Sequence, residues 1–244
     1  MKKNIALGIA SAAVLAPSLA MADVNQPQEI IDRPRTTPAG QITVGADIIS
    51  LITVDGTPTG LGLSGKYGVN DKLEVGAMYG FSLKEFEIKG DLNIGAAYSL
   101  LNAGNLTMSA DVMLGYDLLA EGLNPLVAGL EAQYKLGPQM AVYMPGTHLS
   151  VALDGDPKPI TFGLPVGFAY QAAPNIHAFA QTELARLSIS NSSTVIFGAD
   201  YIPLTIGAWF SPSNTMDFGA ALNWFDLKEL SGDPYISLHA RLHM

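Results

Sequence analysis

The sequence has no cysteine and few charged residues, and these absences exclude several classes of protein. Only 14% of its 244 residues are Asp, Glu, Lys or Arg, whereas soluble domains carry about 25%. The absence of cysteine excludes a disulfide scaffold and cysteine-ligated metal sites. With 13 basic residues against 22 acidic ones, the chain lacks the basic surface that nucleic-acid binding requires. The hydrophobic content of 48% excludes intrinsic disorder. The fold must therefore keep a large apolar surface away from water.

The first 22 residues have the pattern of a secretory signal peptide. Lys2 and Lys3 precede an uncharged run, which ends at the small-x-small sequence Ala20-Met21-Ala22. Signal peptidase accepts such a sequence as its cleavage site. We therefore predict export of the chain and cleavage after Ala22.

Residues 23–40 differ in composition from the rest of the chain. They contain Pro27, Pro34 and Pro38 and show no periodic apolar pattern. Proline at this density favours an extended, solvated segment over a packed element. We therefore predict a periplasmic lead-in at 23–40, followed by a single domain at 41–244.

Apolar and polar side chains alternate along most of residues 41–244. Between 72 and 83, the odd positions from Leu73 to Leu83 are apolar or aromatic, and the even positions are polar, glycine or methionine. A period of two places the apolar groups on one face of a β-strand. Turn residues divide the domain into twelve runs of this kind: 41–53, 59–69, 72–83, 87–100, 105–117, 125–136, 141–153, 160–171, 176–188, 194–210, 215–225 and 235–244.

Two uncharged stretches, 92–110 and 159–182, are long enough to cross a bilayer as helices. Both contain glycine and either asparagine or proline near their middle, which breaks a helix but suits a turn between strands. An even number of strands is also typical of bacterial outer-membrane barrels. The sequence therefore predicts an all-β fold, a transmembrane antiparallel up-and-down β-barrel of about 12 strands.

Aromatic residues recur near the ends of these runs. Aromatic rings collect where a membrane meets water, because the ring is apolar and the polar group stays hydrated. Two membrane girdles are predicted, one near the short periplasmic turns and one at the opposite end. The first contains Tyr67, Tyr98, Tyr134, Tyr170 and Phe210, and the second contains Phe81, Tyr116 and Trp224.

With its signal peptide, alternating runs, aromatic girdles and a last run that reaches Met244, the chain resembles the porin-like outer-membrane β-barrel proteins of Gram-negative bacteria. The resemblance covers residues 41–244. Members of that family usually end in an aromatic residue, most often Phe, whereas this chain ends in Met244. The resemblance implies residence in the bacterial outer membrane. It also implies contact with outer-membrane lipid and lipopolysaccharide, and with the barrel-assembly machinery during biogenesis.

The interior of such a barrel would decide its function. Twelve tilted strands give a backbone diameter of roughly 24 Å, which leaves a lumen of roughly 10–12 Å for small solutes or ions. Acids outnumber bases among the residues predicted to face it, which favours cations. A closed barrel with a structural or adhesive role stays an open alternative to the pore. The pore-lining candidates are Asp47, Lys66, Glu74, Lys89, Asp91, Asp111, Glu131, Lys135, Glu183, Asp200, Asp217 and Arg241.

A lipid-hydrolysing enzyme is a further alternative, because His148-Leu149-Ser150 places an imidazole and a hydroxyl on one strand face. This pair is similar to the His-x-Ser of outer-membrane phospholipases, but the Asn-Gly that follows the serine in that pattern is missing. We therefore expect no catalytic residues. His239 and His243 lie about 13 Å apart along a strand, too far to hold one metal ion. No cofactor, metal or nucleic-acid partner is predicted.

Overall fold

A computed structural model describes residues 24, 26–51, 59–83, 90–146, 148–154, 158–189, 195–197, 202–226 and 234–244. These residues form fifteen β-strands and a single 3₁₀ turn, Ile30–Asp32. The strands are β1 (Ile42–Leu51), β2 (Thr59–Gly68), β3 (Leu73–Ser82), β4 (Asp91–Ala103), β5 (Leu106–Asp117), β6 (Gly122–Leu123), β7 (Leu126–Lys135), β8 (Met140–Met144), β9 (Leu149–Val151), β10 (Ile160–Ala173), β11 (Ile176–Ile189), β12 (Val195–Phe197), β13 (Leu204–Ser213), β14 (Met216–Trp224) and β15 (Tyr235–His243).

The strands form a closed antiparallel barrel with twelve strand positions around its circumference, here called staves, as the alternation predicts. Three staves consist of two short strands each. In the first, β6 and β7 both pair with β5, and in the second, β8 and β9 both pair with β7 and β10. In the third, β12 and β13 both pair with β11. The first and last strands, β1 and β15, close the barrel from Thr43 opposite His243 to Leu51 opposite Tyr235. Ile42 and Met244 add two backbone hydrogen bonds of 2.8 Å, so the non-aromatic terminal residue still takes part in closure.

Short turns lie at one end of the barrel, together with Val24 and Met244, the first and last described residues. One turn follows Asn70, whose side-chain oxygen accepts the backbone N–H groups of Lys72 and Leu73 at 2.9 Å. Another contains Gly104, whose φ of +58° is the left-handed conformation that glycine adopts without strain. Outer-membrane barrels have their short turns at the periplasmic side, so we refer to this end as the periplasmic end.

Large apolar side chains cover the outside of the barrel. Ile94 and Leu184 are each 59% exposed, and many other Ile, Leu, Val and Phe residues are also exposed. Buried hydrophobic residues are few within the described ranges, and three of the five are alanines. Such a distribution suits a protein whose outer solvent is lipid. In the described part of the chain, no helix is long and apolar enough to cross a membrane.

Polar side chains face the interior, at the positions that alternate with the outward apolar ones. In β14 the interior positions include Asp217 and Asn223, which are buried, while Phe218 and Leu222 between them are exposed. The barrel therefore has a polar inside and an apolar outside, as its period of two requires.

Residues 26–40, here called the N-terminal segment, lie inside the barrel. Ile31, Arg33, Thr36 and Thr37 are buried, and the segment bonds to side chains of strands β3, β7, β10 and β14. The prediction of a solvated lead-in does not hold for these residues. Its proline residues keep the backbone extended, but the polar groups between them find charged and amide partners on the inner wall.

Two predicted runs differ in detail from the strands. Run 141–153 is divided into β8 and β9, and run 194–210 into β12 and β13. Pro203 directly precedes β13, and its carbonyl accepts a hydrogen bond from the Thr182 hydroxyl at 2.6 Å. The β10–β11 pairing shifts register between Gly163 and Pro165, since proline has no N–H for the ladder.

Candidate functional site in the barrel lumen

Ten of the twelve predicted pore-lining residues are described, and all ten belong to the inward-facing side of their strands. Lys89 and Asp200 lie outside the described residues. The described members divide between those around a central cavity and those nearer the two ends. Asp47, Lys66, Glu74, Asp111, Glu131 and Arg241 line the cavity, and Asp91, Lys135, Glu183 and Asp217 lie elsewhere on the inner wall.

The strongest anchor of the N-terminal segment is a buried ion pair on β14. Arg33 Nη1 donates to Asp217 Oδ2 at 2.6 Å, and the Asp217 side chain is 1% exposed. His243 contacts the same oxygen at 2.8 Å, and the Ser211 hydroxyl donates to the other oxygen at 2.6 Å. Arg33 also donates to the carbonyls of Pro27 and Gln28. Its guanidinium therefore fixes the fold of the segment and its attachment to the wall.

Strand β7 supplies a second set of anchors on the opposite wall. Arg35 Nη1 donates to Glu131 Oε1 at 3.0 Å, and Lys135 Nζ donates to Asp32 Oδ1 at 2.8 Å. Between these pairs, the Gln133 amide donates to the Ile31 carbonyl at 2.8 Å. Ion pairs from β7 and β14 thus hold the segment from two sides of the lumen.

The end of the segment is held at β3. Glu74 Oε2 accepts hydrogen bonds from both the backbone N–H of Thr37 at 2.7 Å and its hydroxyl at 2.6 Å. The other Glu74 oxygen lies 2.9 Å from Lys66 Nζ. Gly68 permits this approach, because a Cβ there would lie 2.0 Å from the Pro38 carbonyl oxygen.

One apolar contact supplements the polar anchors. Ile31 is 1% exposed and forms a small cluster with Ala141 of β8 and Ala169 of β10, against which Tyr143 packs. Its backbone N–H also reaches the Gln171 side-chain oxygen at 3.3 Å. The segment is thus held mainly by polar contacts and by a single large apolar side chain.

A cavity of about 560 Å³ remains between the N-terminal segment and the wall of β15 and β1–β7. Part of this wall carries glycine at inward positions, so that no side chain projects there. The lining glycines include Gly45 on β1, Gly76 on β3 and Gly95 on β4. The open space therefore follows one side of the lumen, opposite the Ile31 contact.

Arg241 projects into this cavity from β15. Its guanidinium carbon lies 4.2 Å from the centre of the Trp209 ring, a cation–π geometry. Asp217 is its direct cross-strand neighbour but pairs with Arg33 and His243 instead. Asp47 pairs with His239 at 2.5 Å. Within the described ranges, Arg241 has no carboxylate partner and is exposed to the cavity.

The aromatic residues predicted as girdles lie at the two ends of the barrel. Tyr67 is paired with Ile42 and Tyr134 with Leu106, so each stands beside the first residue of a strand at the periplasmic end. The same holds for the rest of the first group. All five are exposed on the outer face. The second group, Phe81, Tyr116 and Trp224, lies at the other end. Their role at the membrane interface stays a prediction.

The pair considered for lipid hydrolysis is not assembled as a nucleophile and base. The buried His148 ring bonds through Nε2 to the Leu130 carbonyl, and no hydrogen bond to Ser150 occurs in the part of the chain that the structure describes. Asp154 Oδ2 instead accepts the Leu123 backbone N–H at 2.7 Å. The described ranges also contain no group of three or more His, Asp or Glu placed to hold a metal ion.

Residues of the N-terminal segment are absent from the sequence-based set of pore-lining candidates. Arg33, Arg35 and Thr37 follow one another at every second position, which places them on one side of an extended chain. Each meets an inward carboxylate, respectively Asp217, Glu131 and Glu74. This spacing of donors was the available signal, but nothing local indicates that the segment turns back into the barrel.

The chain matches no protein-family model and no curated protein sequence. Solved structures do match. The KdgM porin aligns over 82% of this chain and 98% of its own, with a TM-score of 0.54 and 8% identity. The NanC porin aligns over 82% and 97%, with a TM-score of 0.56 and 9% identity. This chain has the fold of outer-membrane porins.

A third porin-like structure is a channel of Pseudomonas putida F1, described as the COG4313 outer membrane channel. It aligns over 85% of this chain and 96% of its own, with a TM-score of 0.52 and 14% identity. At such identities the likeness concerns the fold alone. The function must be argued from the residues of the lumen.

Proposed function

We propose that this porin-like barrel is a diffusion pore for small solutes or ions in the bacterial outer membrane. The observation that carries the proposal is the cavity of about 560 Å³ between the N-terminal segment and the polar wall. The segment crosses the lumen, so solutes would pass on the side where inward-facing glycines of the wall project no side chain. The effective passage is then much narrower than the empty twelve-stranded barrel.

Single-channel recording in a planar bilayer tests this function. We expect discrete conductance steps from purified, folded protein. Folding is checked by heat-modifiable migration on a gel, because a barrel shifts mobility when it unfolds. A correctly folded barrel that stays electrically silent would contradict the pore.

A closed structural or adhesive barrel is the second candidate, and one observation favours it. Ion pairs from Arg33, Arg35 and Lys135 hold the segment across the lumen. The bilayer recording separates the two functions directly. A silent wild type together with a conducting variant that lacks residues 26–38 would identify a barrel closed by its own segment.

A preference for cations is the finer prediction from the sequence. Most of the acids on which it rested are paired with bases, as in Glu74 with Lys66 and Glu131 with Arg35. Asp91 and Asp117, direct cross-strand neighbours near the loop end, bond only to an amide and to backbone N–H groups among the described residues. They would carry any preference. The reversal potential in a KCl gradient measures it, and we expect it to be weak.

Hydrolysis of lipid is not part of the proposal. Replacement of Ser150 by Ala is expected to leave any lipid hydrolysis by the purified protein unchanged, because His148 is committed to a backbone carbonyl. Loss of a measurable activity in Ser150→Ala would instead support an enzyme.

Export and membrane partners complete the proposal. Cleavage of the signal peptide after Ala22 predicts that mass spectrometry of the outer-membrane protein finds Asp23 at the N-terminus. A variant with Asp at position 20 should accumulate as precursor, since signal peptidase needs a small residue there. Outer-membrane lipid and lipopolysaccharide would cover the apolar outer face, and the assembly machinery would insert the barrel.

A further inference from the structure

Among the described residues, most basic groups of the lumen form an ion pair with a carboxylate, and Arg241 is an exception. Arg33, Arg35, Lys66, Lys135 and Arg186 each have a carboxylate partner within 3.0 Å. Arg241 has none in the described ranges, although a carboxylate stands directly across the strand pair at Asp217.

The N-terminal segment is the cause of this difference. Asp217 receives Arg33, His243 and Ser211, which occupy both of its oxygens. Arg241 lies instead against the face of the Trp209 ring. Stacking covers one face of a guanidinium but leaves the N–H groups at its edge available. Among the described residues, the segment thus leaves Arg241 inside the barrel with N–H groups that no carboxylate binds.

We propose that Arg241 is the anion-binding residue of the lumen and that it recognises the carboxylate group of small organic acids. A guanidinium binds a carboxylate through two parallel N–H···O bonds, and such bonds strengthen where water is limited. The inference concerns solute recognition within the proposed pore and rests on that function for its biological meaning.

The surroundings of Arg241 favour an organic acid over an inorganic ion. Met78 and Met113 contribute apolar surface to the same cavity, and Trp209 lies beneath the guanidinium. The volume of about 560 Å³ lies within the range of small-molecule sites, about 300–1,000 Å³. Gly45 stands directly opposite Arg241 in the β1–β15 pairing, and the Ser64 hydroxyl occupies the space that a Cβ at Gly45 would take.

Trp209 provides a direct measurement that does not depend on conduction. The sequence contains two tryptophans, so replacing Trp224 by Phe leaves Trp209 as the single tryptophan, which can be excited selectively over tyrosine. Titration with sodium benzoate at constant ionic strength is expected to change Trp209 fluorescence saturably. Benzyltrimethylammonium, a cation of similar shape, should give no saturable change.

The decisive comparison is between Arg241→Gln and Arg186→Gln in the Trp224→Phe background. Arg186 pairs with Glu183 at 2.7 Å and serves as the matched control, with unchanged benzoate affinity. An increase of the benzoate dissociation constant by fivefold or more in Arg241→Gln supports the proposal, and any smaller change overturns it. Should Arg241→Gln fail the heat-modifiability check, Arg241→Met, whose stem also covers Trp209, is held to the same criterion.

Failure of the site and failure of the pore remain distinguishable. Benzoate binding by a barrel that conducts no current would keep the Arg241 site and remove the diffusion pore. Conductance without saturable benzoate binding would keep the pore and overturn the site. Where both hold, benzoate should also reduce the single-channel current of the wild type, and Arg241→Gln should abolish this block.

Discussion

Arg33 and Asp217 form an ion pair of 2.6 Å inside the barrel, between the N-terminal segment and strand β14, 184 positions apart in the chain. Both side chains are buried. Breaking a buried pair by removing one partner typically costs about 3–5 kcal/mol, because the other charge is left without compensation. This pair is therefore the contact whose loss should most strongly release the N-terminal segment from the wall.

Replacing Arg33 by Ala should widen the passage. The variant removes the ion pair to Asp217 and two bonds to the segment's own carbonyls, while Asp217 keeps His243 and Ser211. We expect the single-channel conductance to rise at least about twofold over wild type. Arg186→Ala, which removes a pair away from the segment, should leave it unchanged. Equal conductance of folded Arg33→Ala and wild type would show that the segment does not limit flow.

Gly68 permits a close backbone approach that a side chain would prevent. In Gly68→Ala the new Cβ would lie 2.0 Å from the Pro38 carbonyl oxygen, so the segment must move. We expect faster cleavage of residues 26–40 by an added protease, followed by mass spectrometry. Gly65→Ala is the control, since nothing lies within 4 Å of that Cβ. If both variants are cleaved at the wild-type rate, the packing of Pro38 on Gly68 does not retain the segment.

A covalent link should reverse the effect of losing Arg33. The chain has no cysteine, so Ile31→Cys with Ala169→Cys introduces one pair, at two residues of the same buried cluster. In the Arg33→Ala background, joining the two thiols with a short bifunctional reagent should return the conductance to the wild-type value. Omission of the reagent, or of one of the two cysteines, supplies the control. A linked protein that still conducts more would place the constriction elsewhere.

An arginine on the outer face should distinguish lipid from water as the outer solvent. Ile94 is 59% exposed, so in a soluble protein Ile94→Arg would change stability little. Facing the bilayer midplane, arginine costs about 2–4 kcal/mol. We expect a loss of that size in denaturant unfolding from lipid vesicles, and a much smaller one for Ile94→Ala. Equal stability of Ile94→Arg and Ile94→Ala would argue against a lipid-facing strand β4.

The period-two pattern was enough to predict the barrel, about twelve strands and the inward side of most of them. Asp47, Glu74 and Asp217 follow from the pattern, because a strand has only two faces and lipid accepts the apolar one. The aromatic positions at the two ends followed from the same spacing. The interruptions between β8 and β9 and between β12 and β13 could not be predicted from this pattern, since they depend on how neighbouring strands match in length.

Local alternation is enough to define the wall of the barrel, whereas the content of the lumen depends on contacts between residues far apart in the chain. Alternation is a local property, and it specifies a face of a strand without reference to distant residues. The course of residues 26–40 depends on pairs such as Arg33 with Asp217 and Arg35 with Glu131, whose members come together only after the barrel closes. Among the described residues, the same closure leaves Arg241 beside Trp209 without a carboxylate partner, because Asp217, which stands across from it, pairs with Arg33.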